Sequence, residues 1–252
     1  MPKIAFITGA TSGFGKACAE KFASHGYDLI LNGRREDRLE KIKEDLEKRF
    51  NTAILVSCFD VRNREDVFNS IKNIPDDWQH IDVLINNAGL ALGRDYFDEG
   101  NMDDWDTMID TNLKGLIYIT KAALPLLKKS SQPHIINMGS VAGKEVYEKG
   151  NVYCASKAAV DTLSHSMRVD LLRHHIKVTA IHPGAAETEF SIVRFKGDEE
   201  TSKKIYDGLT PLTAEDVADV IYYCTTLPAH VCINDLVITC TRQANAIYFN
   251  RK

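Results

Sequence analysis

The sequence predicts an α/β fold, a doubly wound parallel sheet of about seven strands with helices on both faces. Three observations carry this expectation. Short β-rich runs alternate with helical patterns along the chain, which calls for right-handed crossovers and a parallel sheet. The first run, Lys3–Thr8, is almost continuously apolar, as a strand buried on both faces must be. A glycine-rich turn, Gly9 to Gly15, then leads from that strand into a helical pattern.

The predicted strands are Lys3–Thr8, Asp28–Asn32, Ala53–Cys58, Ile81–Asn86, His134–Met138, Lys177–His182 and Leu236–Thr239. Helical patterns lie between them near 14–24, 36–49, 64–73, 102–128, 152–173 and 214–226. Gly26 stands just past the first helix, where a left-handed cap is favoured. Thr213-Ala-Glu-Asp216 reads as a capping box that opens the last long helix.

A length of 252 residues suits a single domain, 1–252, able to bury a substantial core. Hydrophobic content of 44% and charged content of 26% are those of a globular protein. A net charge of −4 gives no electrostatic reason to expect nucleic acid or an anionic membrane as partner. The six cysteines form no C-x-x-C pair and read as buried thiols of a reducing compartment. The N-terminus carries no apolar signal segment, and no run is long enough to span a membrane, so the expected location is the cytoplasm. No His, Asp or Glu spacing suggests a metal.

Ligands of such sheets bind beyond the carboxyl ends of the strands. The first of these ends carries Gly9, Thr11, Ser12, Gly13, Phe14 and Gly15. Glycines at this spacing let backbone turn sharply and approach a pyrophosphate, and the next helix offers free N–H groups and a positive dipole end. At the end of the second strand an acidic residue usually holds the adenosine ribose. Asn32-Gly33-Arg34-Arg35 stand there instead. An acid would repel a 2′-phosphate, whereas a guanidinium binds it through parallel hydrogen bonds. Arg34 and Arg35 are therefore expected to select NADP(H), with Arg38 exposed.

Tyr153 and Lys157 are four apart in a helical pattern, so their side chains share a face, about 5–6 Å apart at Cβ. A nearby ammonium is expected to lower the tyrosine pKa and make it a tunable acid/base. Ser140, at a strand end, is placed to hydrogen-bond the same substrate oxygen. Asn112 falls on an apolar stripe with Trp105, Ile109, Leu116 and Ile119, where an amide needs partners. It is either a satisfied core asparagine or part of the site. Gly115, nearly a turn later, allows close approach. The histidines, His182 included, read as structural. Ser191–Asp207 has weak helical patterning, and a substrate lid is expected around 187–210. Within it Arg194 and Lys196 are candidates to meet a substrate carboxylate, with solvated charge as the alternative. Lys144 and Arg94 lie on the opposite loops.

Several motifs occur together and in order: the glycine turn, Asn86-Asn87-Ala88-Gly89, Asn112, Ser140, Tyr153-x-x-x-Lys157 and Pro183-Gly184. By these the chain resembles the short-chain dehydrogenase/reductases, whose fold is Rossmann-type. A narrower resemblance lies in "NNAGLALG", "WDTMIDTNLKGL", "GNVYCASKA", "EFSIVRFKGD" and "LPAHVCIN". These are similar to the NADP-dependent 3-hydroxy acid dehydrogenases that also act on serine and allo-threonine. The resemblance implies a homotetramer and a catalytic set of Asn112, Ser140, Tyr153 and Lys157. It implies a water-mediated proton relay between Asn112 and Lys157. It further implies cofactor contacts at Asp60, Val61, Asn87, Ala88, Gly89, Tyr153, Lys157, Pro183, Gly184 and Thr188. Thr188 would meet the nicotinamide amide, although many members carry a shorter tract between the glycine and the threonine. Substrate would meet Ser140, Tyr153 and Arg194.

The expected activity is hydride transfer between NADP and the carbinol carbon of a small 3-hydroxy acid. A reductase of bulkier ketones or β-ketoacyl substrates is the alternative. A non-catalytic NADPH sensor would not need Asn112, Ser140, Tyr153 and Lys157 together.

Overall fold

The computed structural model describes residues 2–251. Seven strands form one sheet: β1 Ile4–Ile7, β2 Asp28–Gly33, β3 Ile54–Cys58, β4 Val83–Asn86, β5 His134–Met138, β6 Lys177–Pro183 and β7 Asp235–Ile238. Their spatial order is β3-β2-β1-β4-β5-β6-β7, and every pairing is parallel. Because β1 lies between β2 and β4, the chain reverses its winding there and opens a crevice at the carboxyl ends of the strands.

Nine α-helices accompany the sheet among the described residues: α1 Gly13–Ala23, α2 Glu36–Phe50, α3 Arg64–Lys72, α4 Met102–Ile109, α5 Leu116–Leu127, α6 Asn151–Leu171, α7 Glu189–Arg194, α8 Glu199–Lys204 and α9 Ala214–Thr226. The central strands divide their side chains between two cores. Ala5 and Ile7 of β1 join Phe22 of α1, Leu39 of α2 and Ile221 of α9. Ile4 and Phe6 face the other way and join Val67 of α3 and Ile119 of α5. The buried apolar side chains of both layers contribute about 1.5–3 kcal/mol each relative to exposure. Both faces of the sheet are covered, which is why the strands read as apolar runs rather than alternating ones.

The local expectations hold at the helix ends. Gly26 has φ +77° just past α1. Thr213 and Asp216 form the capping box of α9, each side chain accepting the other's backbone N–H. The expected single helix over 102–128 is corrected: Asp110–Gly115 between α4 and α5 is a π-helical turn. Such a turn inserts a residue into the ladder and re-aims the side chains it carries. Here it carries Asn112 and Gly115. Among the described residues no helix is long and apolar enough to cross a membrane.

Candidate active site

The turn between β1 and α1 is built around its glycines. Gly9 and Gly13 have φ of +66° and +51°, a region that side chains with a Cβ adopt at a cost. A Cβ on Gly15 would stand 2.3 Å from the Gly9 carbonyl oxygen and 2.5 Å from Asn87 Nδ2. Gly15 therefore closes the helix against the strand, while Gly9 and Gly13 line the cleft. The turn after β4 braces the loop. Thr8 Oγ1 accepts from the backbone N–H groups of Asn87 and Ala88, both at 3.0 Å, and Asn87 Nδ2 donates to Thr8 O and Gly9 O. Ser12, the N-cap of α1, makes no side-chain capping bond. The first-turn N–H groups of α1 thus have no side-chain acceptor at the N-cap, as an anion site requires.

Arg34 and Arg35 both line the cleft beside this loop. Arg35 is anchored: Nη2 donates to Thr11 Oγ1 at 2.7 Å and to Ser12 Oγ at 3.1 Å. Arg34 is freer, 3.8 Å from Asp60, whose carboxylate is already forked to Arg62. Burial works against ionisation of Asp60, but the bonds from Arg62 hold its carboxyl below the usual range. Arg38 is half-exposed, and its Nη1 donates to both oxygens of Glu189, at 2.9 and 3.0 Å.

Tyr153 and Lys157 sit on the first turns of α6 and both face the cleft. Lys157 is 6% exposed, and its Nζ donates to Met138 O at 2.8 Å. Burial pulls its pKa from 10.5 down to about 8. The Tyr153 hydroxyl does not follow the expected direction. Burial of the ring raises its pKa and Tyr147 adds to this, while Ser140 and Arg194 pull it down. Lys157 has turned toward Met138 O, so its charge is not what governs the phenol. Ser140 is the N-cap of the short 3₁₀ turn after β5, accepting from Ala142 N at 3.1 Å, which fixes its hydroxyl at the strand end.

Asn112 is 2% exposed and fully partnered. Its Oδ1 accepts from Leu90 N, and its Nδ2 donates to Leu90 O and Ser156 Oγ. It ties the π-turn to the loop after β4 and to α6, behind the cleft rather than in it. A Cβ on Gly89 would lie 3.2 Å from Asn112 Oδ1 and 3.4 Å from Lys157 Nζ, so the two polar ends flank that glycine. Gly115 packs on Val61, where a Cβ would come within 2.8 Å of Val61 Cγ2.

Two short helices, α7 and α8, occupy the segment where a lid is expected, and Thr188, Glu189, Phe190 and Val193 of it line the cleft. Thr188 caps α7 through Phe190 N and lies against Gly13, where a Cβ would be 3.4 Å from Thr188 Cβ. Arg194 Nη1 donates to Tyr147 Oη at 3.0 Å, and its guanidinium lies 5.6 Å from the Tyr147 ring and 5.5 Å from the Tyr153 ring. Arg94 approaches the opposite side of the group, 5.8 Å from Tyr147. The other basic candidates are corrected. Lys196 pairs with Asp104 at 2.8 Å and fastens the lid. Lys144 pairs with Asp161 and Asp235, the cluster that His165 also joins, so an ammonium already supplies its cation. His182 is buried behind Gly139, its Nε2 2.8 Å from Asp235, and does not line the cleft. Pro183 and Gly184 end β6 outside the cleft lining, and Gln243 covers Gly184 by accepting from Ala185 N.

Gly9, Thr11, Ser12, Gly13 and Phe14 thus line the cleft with Arg34, Arg35, Asp60 and Val61. Asn87, Ala88, Gly89, Tyr153, Lys157 and Thr188 complete the predicted wall. Residues that sequence reasoning missed also face it, among them Phe59, Thr111, Glu189 and Phe190. The cleft offers ≈ 300 Å³ and is open to solvent along one side. That lies at the lower end of the usual 300–1,000 Å³ or so of a small-ligand pocket. Its lining runs from the glycine loop past Arg34 and Arg35 to Tyr153.

The profile of the family described as short chain dehydrogenase matches residues 3–199. The chain belongs to the short chain dehydrogenase family. Within this family it is 47% identical, over 97% of its length and 96% of the relative's, to sulfoacetaldehyde reductase 2 of Chromohalobacter salexigens. It is 44% identical to the NADP-dependent 3-hydroxy acid dehydrogenase of Escherichia coli K12, covering 96% of this chain and 97% of that one. A solved structure described as the closed form of serine dehydrogenase complexed with NADP+ superposes with TM-score 0.91 at 42% identity, covering 99% and 100% of the two chains. As members of this family do, the chain carries a Rossmann-type sheet and is an oxidoreductase.

Proposed function

We propose that the chain is an NADP-dependent dehydrogenase of small 3-hydroxy acids or equally small acids, with the carbinol carbon as the site of hydride transfer. The observation that carries this reading is the Arg194 guanidinium, 5.5 Å from the ring of Tyr153, a residue that lines the cleft beside the glycine loop and the arginines. Only a small substrate whose anionic group lies a few atoms from its hydroxyl reaches both. The names of the relatives support this, since a 3-hydroxy acid dehydrogenase, a serine dehydrogenase and a sulfoacetaldehyde reductase all imply a short anionic substrate.

Bound NADP supplies a carbon that accepts or delivers hydride. The chain's own residues hold it and handle the proton. The glycine loop and the first turn of α1 bind the pyrophosphate, while Arg34 and Arg35 bind the 2′-phosphate. In the oxidation direction Tyr153 Oη takes the hydroxyl proton; in reduction it returns a proton to the carbonyl oxygen. Ser140 Oγ holds the same substrate oxygen, and Lys157, one helical turn from the tyrosine, donates to Met138 O. Asn112 keeps the loop after β4 and α6 in register, and the proton relay implied for it passes along this seam toward Lys157. The screen that tests this follows reduced-nicotinamide absorbance with NADP+ and NAD+. It covers serine, allo-threonine, 3-hydroxypropionate, isethionate and an uncharged alcohol. Turnover of an anionic substrate with NADP+ preferred is the expected result. Preference for the uncharged alcohol, or for NAD+, would refute it.

We further propose one catalytic domain over 1–252 with its lid around 187–210, assembled as a homotetramer in the cytoplasm. The exposed apolar side chains Ile117, Val169, Leu172, Tyr223 and Val237 support association of subunits, and light scattering of the eluted protein measures the assembly. All six cysteines are free, in line with a reducing compartment.

A further inference from the structure

Glu189, the first residue of α7, joins the lid to the arginine cluster. Both of its carboxylate oxygens accept from Arg38 Nη1, and Oε2 also accepts from Arg35 Nη1 at 3.3 Å. The other edge of the Arg35 guanidinium is committed to Thr11 and Ser12 of the glycine loop. The Arg35 Nη1 edge, the one not committed to the glycine loop, is thus taken by an acid of the protein itself, and Arg38, outside the cleft lining, holds the same acid. A carboxylate offers two acceptor oxygens and one negative charge, whereas a phosphate monoester offers three oxygens and close to two charges.

Resting on the NADP reading above, we propose that Glu189, held by Arg38, is an internal rival of the cofactor's 2′-phosphate for Arg35. When the phosphate takes the Arg35 guanidinium, the carboxylate gives up that bond and the first turn of α7 loses its tie to Arg35 beside the glycine loop. Occupancy of the 2′-phosphate site is then read directly by the segment that carries Arg194 to Tyr153. Glu189 thereby lowers NADP(H) affinity specifically and leaves NAD(H), which lacks that phosphate, unaffected. It also offsets part of the charge of two neighbouring guanidiniums when no phosphate is there.

The test compares NADPH, NADH and 2′,5′-ADP binding to the wild type and to Glu189→Gln by calorimetry at low and high salt. Glutamine preserves the shape and removes the charge. The expected result is tighter binding of NADPH and 2′,5′-ADP, by about fivefold at low salt, with NADH unchanged. The gain should shrink at high salt because the groups are half-exposed and screened. Equal tightening or equal loss for NADPH and NADH would show that Glu189 acts only by packing the lid, and would overturn the proposal. Unchanged or weakened NADPH binding would overturn it as well. A wild type that binds NADH as tightly as NADPH would overturn the NADP assignment itself, a separate failure visible before any variant is made.

Discussion

The guanidinium of Arg194 lies 5.5 Å from the ring centroid of Tyr153. It also donates a hydrogen bond to Tyr147, whose ring Arg94 approaches from another loop. A fixed positive charge over the acid/base residue does two things at once. It lowers the cost of a phenolate in a buried pocket, and it offers an anionic substrate a partner a few ångströms from the reacting oxygen. Both roles follow from the first helix of the lid reaching across the cleft.

Replacing Arg194 by alanine should therefore raise KM for a 3-hydroxy acid by about 10- to 100-fold, the worth of one charge-assisted hydrogen bond. The same change should alter KM for an uncharged alcohol far less. Steady-state kinetics on the two substrates decide the matter. Equal effects on both would remove Arg194 from substrate binding and leave it only as a neighbour of Tyr153.

Tyr153→Phe removes the hydroxyl proposed to transfer the proton while keeping the ring packed against Phe190, 5.7 Å away between centroids. The expected loss in kcat is about 10²- to 10⁴-fold, the usual contribution of general acid/base catalysis. NADPH affinity should stay as in the wild type, because the ring still fills its place in the wall. Turnover that survives the substitution would rule out the proposed proton transfer.

Gly15→Ala tests the phosphate loop through its packing rather than its ligand. The new methyl would stand 2.3 Å from the Gly9 carbonyl oxygen, and backbone cannot step aside as a flexible side chain can. Overpacking of this kind costs about 1–3 kcal/mol. The strain falls on Gly9, so NADPH affinity should drop by about tenfold along with thermal stability. A variant with lowered Tm but normal NADPH affinity would separate the packing of Gly15 from the shape of the loop.

What could be read from the sequence was local. The strand ends, the glycine loop, Tyr153-x-x-x-Lys157 and the capping box at Thr213 each depend on neighbours a few residues away, and spacing reports such neighbours directly. What could not be read was set by contacts across the fold. Arg38 looked like one more charge on a solvated helix face because its partner, Glu189, lies 151 residues later. Lys144 and Lys196 looked available because Asp235 and Asp104 come next to them only when the sheet and lid are assembled. The π-turn at Asn112 preserved the apolar stripe and so left no mark in its spacing. The direction of the Tyr153 shift also escaped, since helical spacing placed Lys157 nearby but could not show that Met138 O draws its ammonium away.

Lys157 makes a prediction in which stability and pH are linked. Burial lowers its pKa from 10.5 to about 8 in the folded chain. Below the lower value the lysine is charged both folded and unfolded, and the folded state bears the whole cost of the buried charge. Between the two values the folded lysine has lost its proton while the unfolded one keeps it, so stability rises with pH. Above 10.5 both forms are neutral and the penalty is gone. A shift of this size corresponds to about 3 kcal/mol. Methionine at this position cannot titrate, though it leaves Met138 O without its donor. That loss is the same at every pH and cancels when differences are compared. Tyrosines and other groups that titrate in the same window also cancel between the two proteins. Urea unfolding of the wild type and Lys157→Met across this pH range should therefore show the wild type gaining about 3 kcal/mol on the variant. A stability difference that stays flat with pH would mean that Lys157 keeps its ordinary pKa, and that no depressed ammonium stands behind Tyr153.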